Sequence, residues 1–88
     1  MISLEPLGSN QTIVIIEPGE ELFFSYRTLV GIKDHDKYYV QREGQAGSRT
    51  TGRHIHNWLM RYQANLITNE VSSDLLQQMA SELYPVPF

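Results

Sequence analysis

Eighty-eight residues, 41% of them apolar, with a formal charge of −3, allow one domain with a small core and leave little room for a buried active site. The chain has no cysteine, which excludes a disulfide framework and a thiolate zinc site, so stability has to come from packing or from a partner subunit. Met1 to Pro6 lacks the basic start and apolar run of a signal peptide, and no apolar stretch approaches the roughly 20 residues of a membrane span; a cytoplasmic setting and no membrane partner are expected.

Thr12 to Ile16 is a β-branched run closed by Glu17-Pro18-Gly19, which reads as a strand and a tight turn. From Glu21 to Arg27, Leu22, Phe24 and Tyr26 alternate with Phe23, Ser25 and Arg27, the period of a strand with one better-buried face. Thr28 to Ile32 continues extended. Asp34 to Lys37 supplies a polar turn, and Tyr38 to Arg42 forms the second arm of an antiparallel hairpin. Glu43 to Ser48 is glycine-rich and reads as a loop.

The period then changes. Ile55, Trp58, Leu59 and Tyr62 fall at i, i+3, i+4 and i+7, one side of a helix that Thr50 or Thr51 can cap through its hydroxyl. Gly52, in the first turn, costs about 1 kcal/mol against alanine. Ser72 signals a second N-cap, with Val71 and Leu76 placed as a hydrophobic staple and Asp74 near the positive helix end. Leu75, Leu76, Met79 and Leu83 form the apolar side of that helix, and the prolines of Tyr84 to Phe88 turn the end into an extended tail.

Strands first and helices afterwards predict a single α+β domain over residues 1–88: a small antiparallel sheet of three to four strands, followed by two helices packed on one face. The other face is then thinly covered. Phe23, Tyr38 or Tyr39 would lie there, which makes a homo-oligomer, a homodimer above all, one expectation and a wet face with isolated aromatics the other. The tail at 84–88 raises a related pair of readings: it packs on its own domain, or it docks on another chain, a second copy or an unknown protein partner.

Charge is unevenly placed. Between Leu22 and Asn69 stand seven basic residues and three acidic ones, while Glu5, Glu17, Glu20, Glu21, Glu70, Asp74 and Glu82 make the ends acidic. The middle segment reads either as a basic face or as ordinary solvated surface. Its sharpest feature is Ser48 to Arg53. Arg49, Thr50, Thr51 and Arg53 bring two guanidiniums and two hydroxyls to the unpaired N–H groups of a helix start, an arrangement suited to an anion or a phosphate backbone, with capping threonines and solvated arginines as the alternative.

No catalytic set emerges. His54 and His56 are two apart, roughly 200° around a helix, and cannot chelate one ion together. Asp34-His35-Asp36 reads as a polar turn rather than a metal site. The serines show no nucleophile elbow, and no phosphate-loop or dinucleotide fingerprint occurs, so no catalytic residue, metal or cofactor is assigned. Ile55, Trp58 and Leu59 belong to the core, and His54, four residues before Trp58, is expected to brace the helix against the sheet beside that ring.

Ser25-Tyr26-Arg27-Thr28, Tyr38-Tyr39-Val40 and Thr50-Thr51-Gly52-Arg53-His54-Ile55-His56-Asn57-Trp58-Leu59 together resemble a family of small uncharacterised proteins found mostly in bacteriophage and prophage sequences. The shared pattern is a Ser-Tyr-x-Thr strand, a short turn, an aromatic strand, and Thr-Thr-x-x-His-Ile-x-x-Trp/Phe-Leu. It covers residues 22–62. Leu29, where that family often has proline, and the longer glycine-rich loop before Arg49 depart from it. The resemblance implies a viral or accessory context in the host cytoplasm and a sheet-then-helix order, and no chemistry. The expectation is therefore a non-enzymatic accessory or interaction protein of unknown function, the alternative being a nucleic-acid-binding accessory protein that uses the helix start.

Overall fold

The run Thr12 to Ile16 forms the centre of strand β2 (Gln11–Glu17), and the chain before it is extended as well: β1 (Ser3–Gly8) pairs antiparallel with β2. The structure, a computed structural model, describes residues 2–43, 49–62 and 68–83. β3 (Glu20–Ser25), β4 (Thr28–Asp34) and β5 (Lys37–Gln41) follow in antiparallel succession. Helix α1 (Arg49–Arg61) then leads to β6 (Thr68–Val71), which pairs parallel with β5, and helix α2 (Ser73–Leu83) comes last. The glycine-rich connection at 44–48 and the tail at 84–88 lie outside the described residues.

The sheet thus has six strands in the order β1-β2-β3-β4-β5-β6, not three to four, and it is mixed rather than antiparallel. The helices are not on one face either. α1 closes one side with Ile13, Phe23, Val30, Val40, Ile55, Trp58 and Leu59, and α2 closes the other with Leu22, Leu29, Ile32, Leu76 and Ala80. The reason lies in β3, whose successive residues Leu22 and Phe23 are both apolar and both fully buried, so neither side of the sheet can face water there. An irregularity opposite Phe23 and Phe24 gives β4 one extra residue, and Val30 and Gly31 both serve the α1 side. Phe23 and Tyr38 lie under α1 and Tyr39 under α2, which removes the uncovered aromatic face from which self-association was expected.

The strand expected over Glu21 to Thr28 and beyond is broken at Tyr26-Arg27. There the chain reverses into β4, with Tyr26 at φ 58° and its N–H donated to the Asn10 carbonyl at 2.7 Å. A left-handed residue with a side chain costs about 1 kcal/mol or more, so glycine or asparagine is the usual occupant. The Pro18-Gly19 turn follows the ordinary rule, with Gly19 at φ 87°.

Ser72 caps α2 as its sequence indicates: its Oγ accepts the Leu75 N–H at 3.2 Å, and Val71 packs on the cluster that holds Leu76. The Glu43 carboxylate adds a second cap, accepting the Ser73 N–H at 3.0 and 3.2 Å. That bond draws the Glu43 pKa below its ordinary value. The buried side of α2 carries Leu76, Ala80 and, in part, Met79, whereas Leu75 is 44% exposed and leaves the expected stripe.

Candidate functional site

Two hydrogen bonds orient α1 on the sheet. His54, in its second turn, meets Ser25 at the end of β3, and Tyr62, just past its last turn, donates its hydroxyl to Glu21 near the start of β3. α1 therefore runs antiparallel to β3 and begins at the end of the sheet where the Asn10 and Tyr26-Arg27 turns lie. β5 and β6 finish at that same end, since Gln41 pairs with Val71, and α2 starts there too, with Ser73 held by Glu43. Both helices thus aim their positive ends the same way. β5, α1 and β6 form a parallel crossover unit at the edge of an otherwise antiparallel sheet.

Arg27, Arg42, Arg49 and Arg53 gather at this end. Arg42 donates to the Glu70 carbonyl at 3.3 Å, while Arg27, Arg49 and Arg53 are exposed and have no ion-pair partner among the described residues. α1 carries no acidic residue in its first turn. Acidic residues are the ones favoured at a helix start, each contributing about 0.3–1 kcal/mol, so Arg49 in the first turn works against the helix that bears it. Glu17, Glu20, Asp34 and Asp36 sit in or beside the turns at the opposite end together with Lys33 and Lys37, and Glu43, Glu70 and Asp74 stand at the arginine end, so both ends carry mixed charge.

Thr50 and Thr51 do not cap α1, because the helix already begins at Arg49 and includes them in its first turn. Thr50 is exposed beside the arginines; Thr51 is half-buried. Ile55, Trp58 and Leu59 are buried, as expected. The indole of Trp58 stacks on Phe23 (5.2 Å, 6°), meets Tyr38 edge-on, and turns its Nε1 toward the buried Glu21 carboxylate at 3.4 Å.

His54 meets the sheet at the end of β3. Its Nδ1 lies 2.7 Å from Ser25 Oγ, and its ring is 5.9 Å from that of Tyr26 at 37°. The two halves of the Ser-Tyr-x-Thr and Thr-Thr-x-x-His-Ile pattern are therefore one contact. Sequence spacing marks no serine for His54, since 29 residues separate the pair. Ser25 is 3% and His54 8% exposed, so the pair is closed to a substrate of any size in this conformation. His56, two residues on, is exposed. Next to the pair, Gln11, which faces Ser25 across β2 and β3, has a buried Oε1 with no hydrogen-bond partner among the described residues.

The model of one family of unknown function, DUF8033, matches residues 2–74. The chain belongs to that family. No curated protein and no solved structure matches. The region shared with DUF8033 contains the whole sheet, α1, the four arginines and the Ser25–His54 contact, and it stops in the first turn of α2.

Near the β3–β4 strand ends, Glu20, Asp34 and His35 bring one ligand atom each within 4.8 Å of one another, a grouping that could hold a metal ion. It joins Asp34 and His35 of the turn read as merely polar to Glu20 of β3, directly opposite Asp34, and does not include Asp36. His35 lies against Gly19, and the Lys33 ammonium binds the Gly19 and His35 carbonyls at 3.2 and 2.8 Å, which sets a positive charge beside these ligands. Among the described residues no helix is long and apolar enough to cross a membrane.

Proposed function

We propose that this member of DUF8033 is a non-enzymatic nucleic-acid-binding protein that holds phosphates at the end of the sheet bearing Arg27, Arg42, Arg49 and Arg53. One observation carries the reading: α1 opens with Arg49 and no acid in its first turn, Arg53 follows in the second, and neither arginine has an ion-pair partner among the described residues, at the end where both helices begin. The charge of −3 does not exclude it, because Glu17, Glu20, Asp34 and Asp36 lie at the far end of the strands and the four arginines meet three acids, Glu43, Glu70 and Asp74, at their own end. The closed Ser25–His54 pair supports the non-enzymatic part of the proposal. The resemblance to phage and prophage proteins supports an accessory role in a host cytoplasm.

The test is retention on immobilised nucleic acid. Arg49→Ala with Arg53→Ala is expected to abolish salt-sensitive retention of the full chain, and unchanged retention removes the proposal.

A second reading, self-association, draws on β1. This edge strand exposes Leu4 (71%), with Ile2 (57%) just before it, and an edge with apolar side chains is suited to pairing with another copy. Light scattering over a range of concentrations decides it, with Leu4→Lys expected to give a monomer.

A further inference from the structure

We infer that the arginine-bearing end takes single-stranded rather than duplex nucleic acid, with a base stacked on the ring of Tyr26. The inference rests on the phosphate-binding reading and adds the part of the ligand that phosphate contacts do not define. Tyr26 occupies the tip of the β3–β4 turn at φ 58°, a conformation that suits glycine or asparagine and that a bulky residue adopts only at a cost. Burial does not explain the choice, for 58% of Tyr26 is exposed.

The residue is nevertheless held firmly. Its N–H is tied to the Asn10 carbonyl at 2.7 Å, and its ring is backed by the imidazole of His54, which Ser25 fixes in turn at 2.7 Å. The result is an open aromatic surface on a rigid support. Arg27 follows it directly in the turn. His54 connects it to α1, where Thr50 lies one turn nearer the helix start, between Arg49 and Arg53 in sequence.

An aromatic platform at the end of the sheet that carries the arginines matches the two chemical features of a single strand, a free base face and a phosphate chain. A duplex hides its base faces within its own stack, so Tyr26 would add nothing to duplex binding. The ring also accepts any base, because every base has a π-face, and the inference accordingly assigns no sequence preference.

The experiment measures binding of the full chain to a fluorescein-labelled oligothymidylate, to the same sugar-phosphate chain without bases, and to a duplex of equal length. Tyr26→Gly suits the backbone of the turn and keeps the fold, and Tyr26→Phe keeps the platform. Tyr26→Gly is expected to weaken oligothymidylate binding by about ten-fold or more, while Tyr26→Phe binds as the native chain does. The base-free chain is expected to bind native protein and Tyr26→Gly alike. Equal oligothymidylate binding by Tyr26→Gly and native protein, or a native preference for duplex, overturns the inference while leaving phosphate binding in place. No binding of any of the three polymers by native protein overturns both.

Discussion

The indole of Trp58 lies on the backbone of Gly31: a Cβ at position 31 would stand 2.5 Å from Cζ3 and 3.0 Å from Cε3 and Cη2. The ring cannot retreat, since it is fully buried and stacked on Phe23. Gly31→Ala is therefore expected to destabilise the chain by about 1–3 kcal/mol through overpacking, read as a lower urea midpoint, although alanine is otherwise an improvement in a strand.

Ser25 and His54 form a second such dependency, polar rather than steric. Ser25→Ala leaves a buried imidazole nitrogen without its partner and is expected to cost about 1–3 kcal/mol. Adding His54→Leu to Ser25→Ala should cost less than the sum of the two single changes, because the lost bond is then counted once. Denaturant titration of the four chains measures that coupling.

Charge reversal at the start of α1 separates stability from binding. Arg49→Glu places the favoured charge at the positive helix end and is expected to raise stability by up to about 1 kcal/mol, and Arg53→Glu, in the second turn, by less. The same changes should abolish retention on nucleic acid. A loss of stability in thermal melts would show that these arginines hold the fold instead.

Tyr62 and Tyr38 govern the alkaline limb of the stability profile. Burial raises the Tyr62 hydroxyl well above its ordinary range, helped by its bond to Glu21, and burial followed by the Glu21 and Asp36 charges raises Tyr38. The folded state keeps these protons where the unfolded chain has lost them. Their stabilisation is complete below the unfolded value of about 10 and declines as the pH rises above it. Absorbance titration should show these two tyrosines ionising late, with the Tyr62 transition coinciding with unfolding.

Glu43 works in the opposite direction on the acid side. Its carboxylate is stabilised chiefly by the Ser73 N–H and so titrates below the ordinary glutamate value of 4.5. The cap contributes above 4.5 and is lost as the pH falls through the lower folded value. Glu43→Gln should remove that contribution, and the melting points of the two chains are expected to converge in acid.

The parts of the fold legible in the sequence are those whose signal is local. The Ile55, Trp58, Leu59 and Tyr62 stripe and the Ser72 cap follow from spacing within one helix. β1 was hidden by Pro6 and by an edge position where Leu4 points to solvent, and β6 by the polar run Thr68-Asn69-Glu70, whose strand character comes from backbone pairing with β5. The break at Tyr26 was illegible because no turn-forming residue occupies it. At the candidate site, the arginines and the helix start could be read, but Ser25, which fixes His54, and Tyr26, which lies against it, are brought there by a crossover that no spacing rule encodes.

With one helix on each face, the sheet acts as a partition. Phe23 and Leu22 are neighbours in the chain yet belong to separate packing groups, one finished by α1 within residues 2–74 and the other by a helix that lies almost wholly beyond them. Changes in the last helix reach Tyr26 through the strands of the sheet, and reach Arg42 more directly, through the Glu43 carboxylate that holds Ser73.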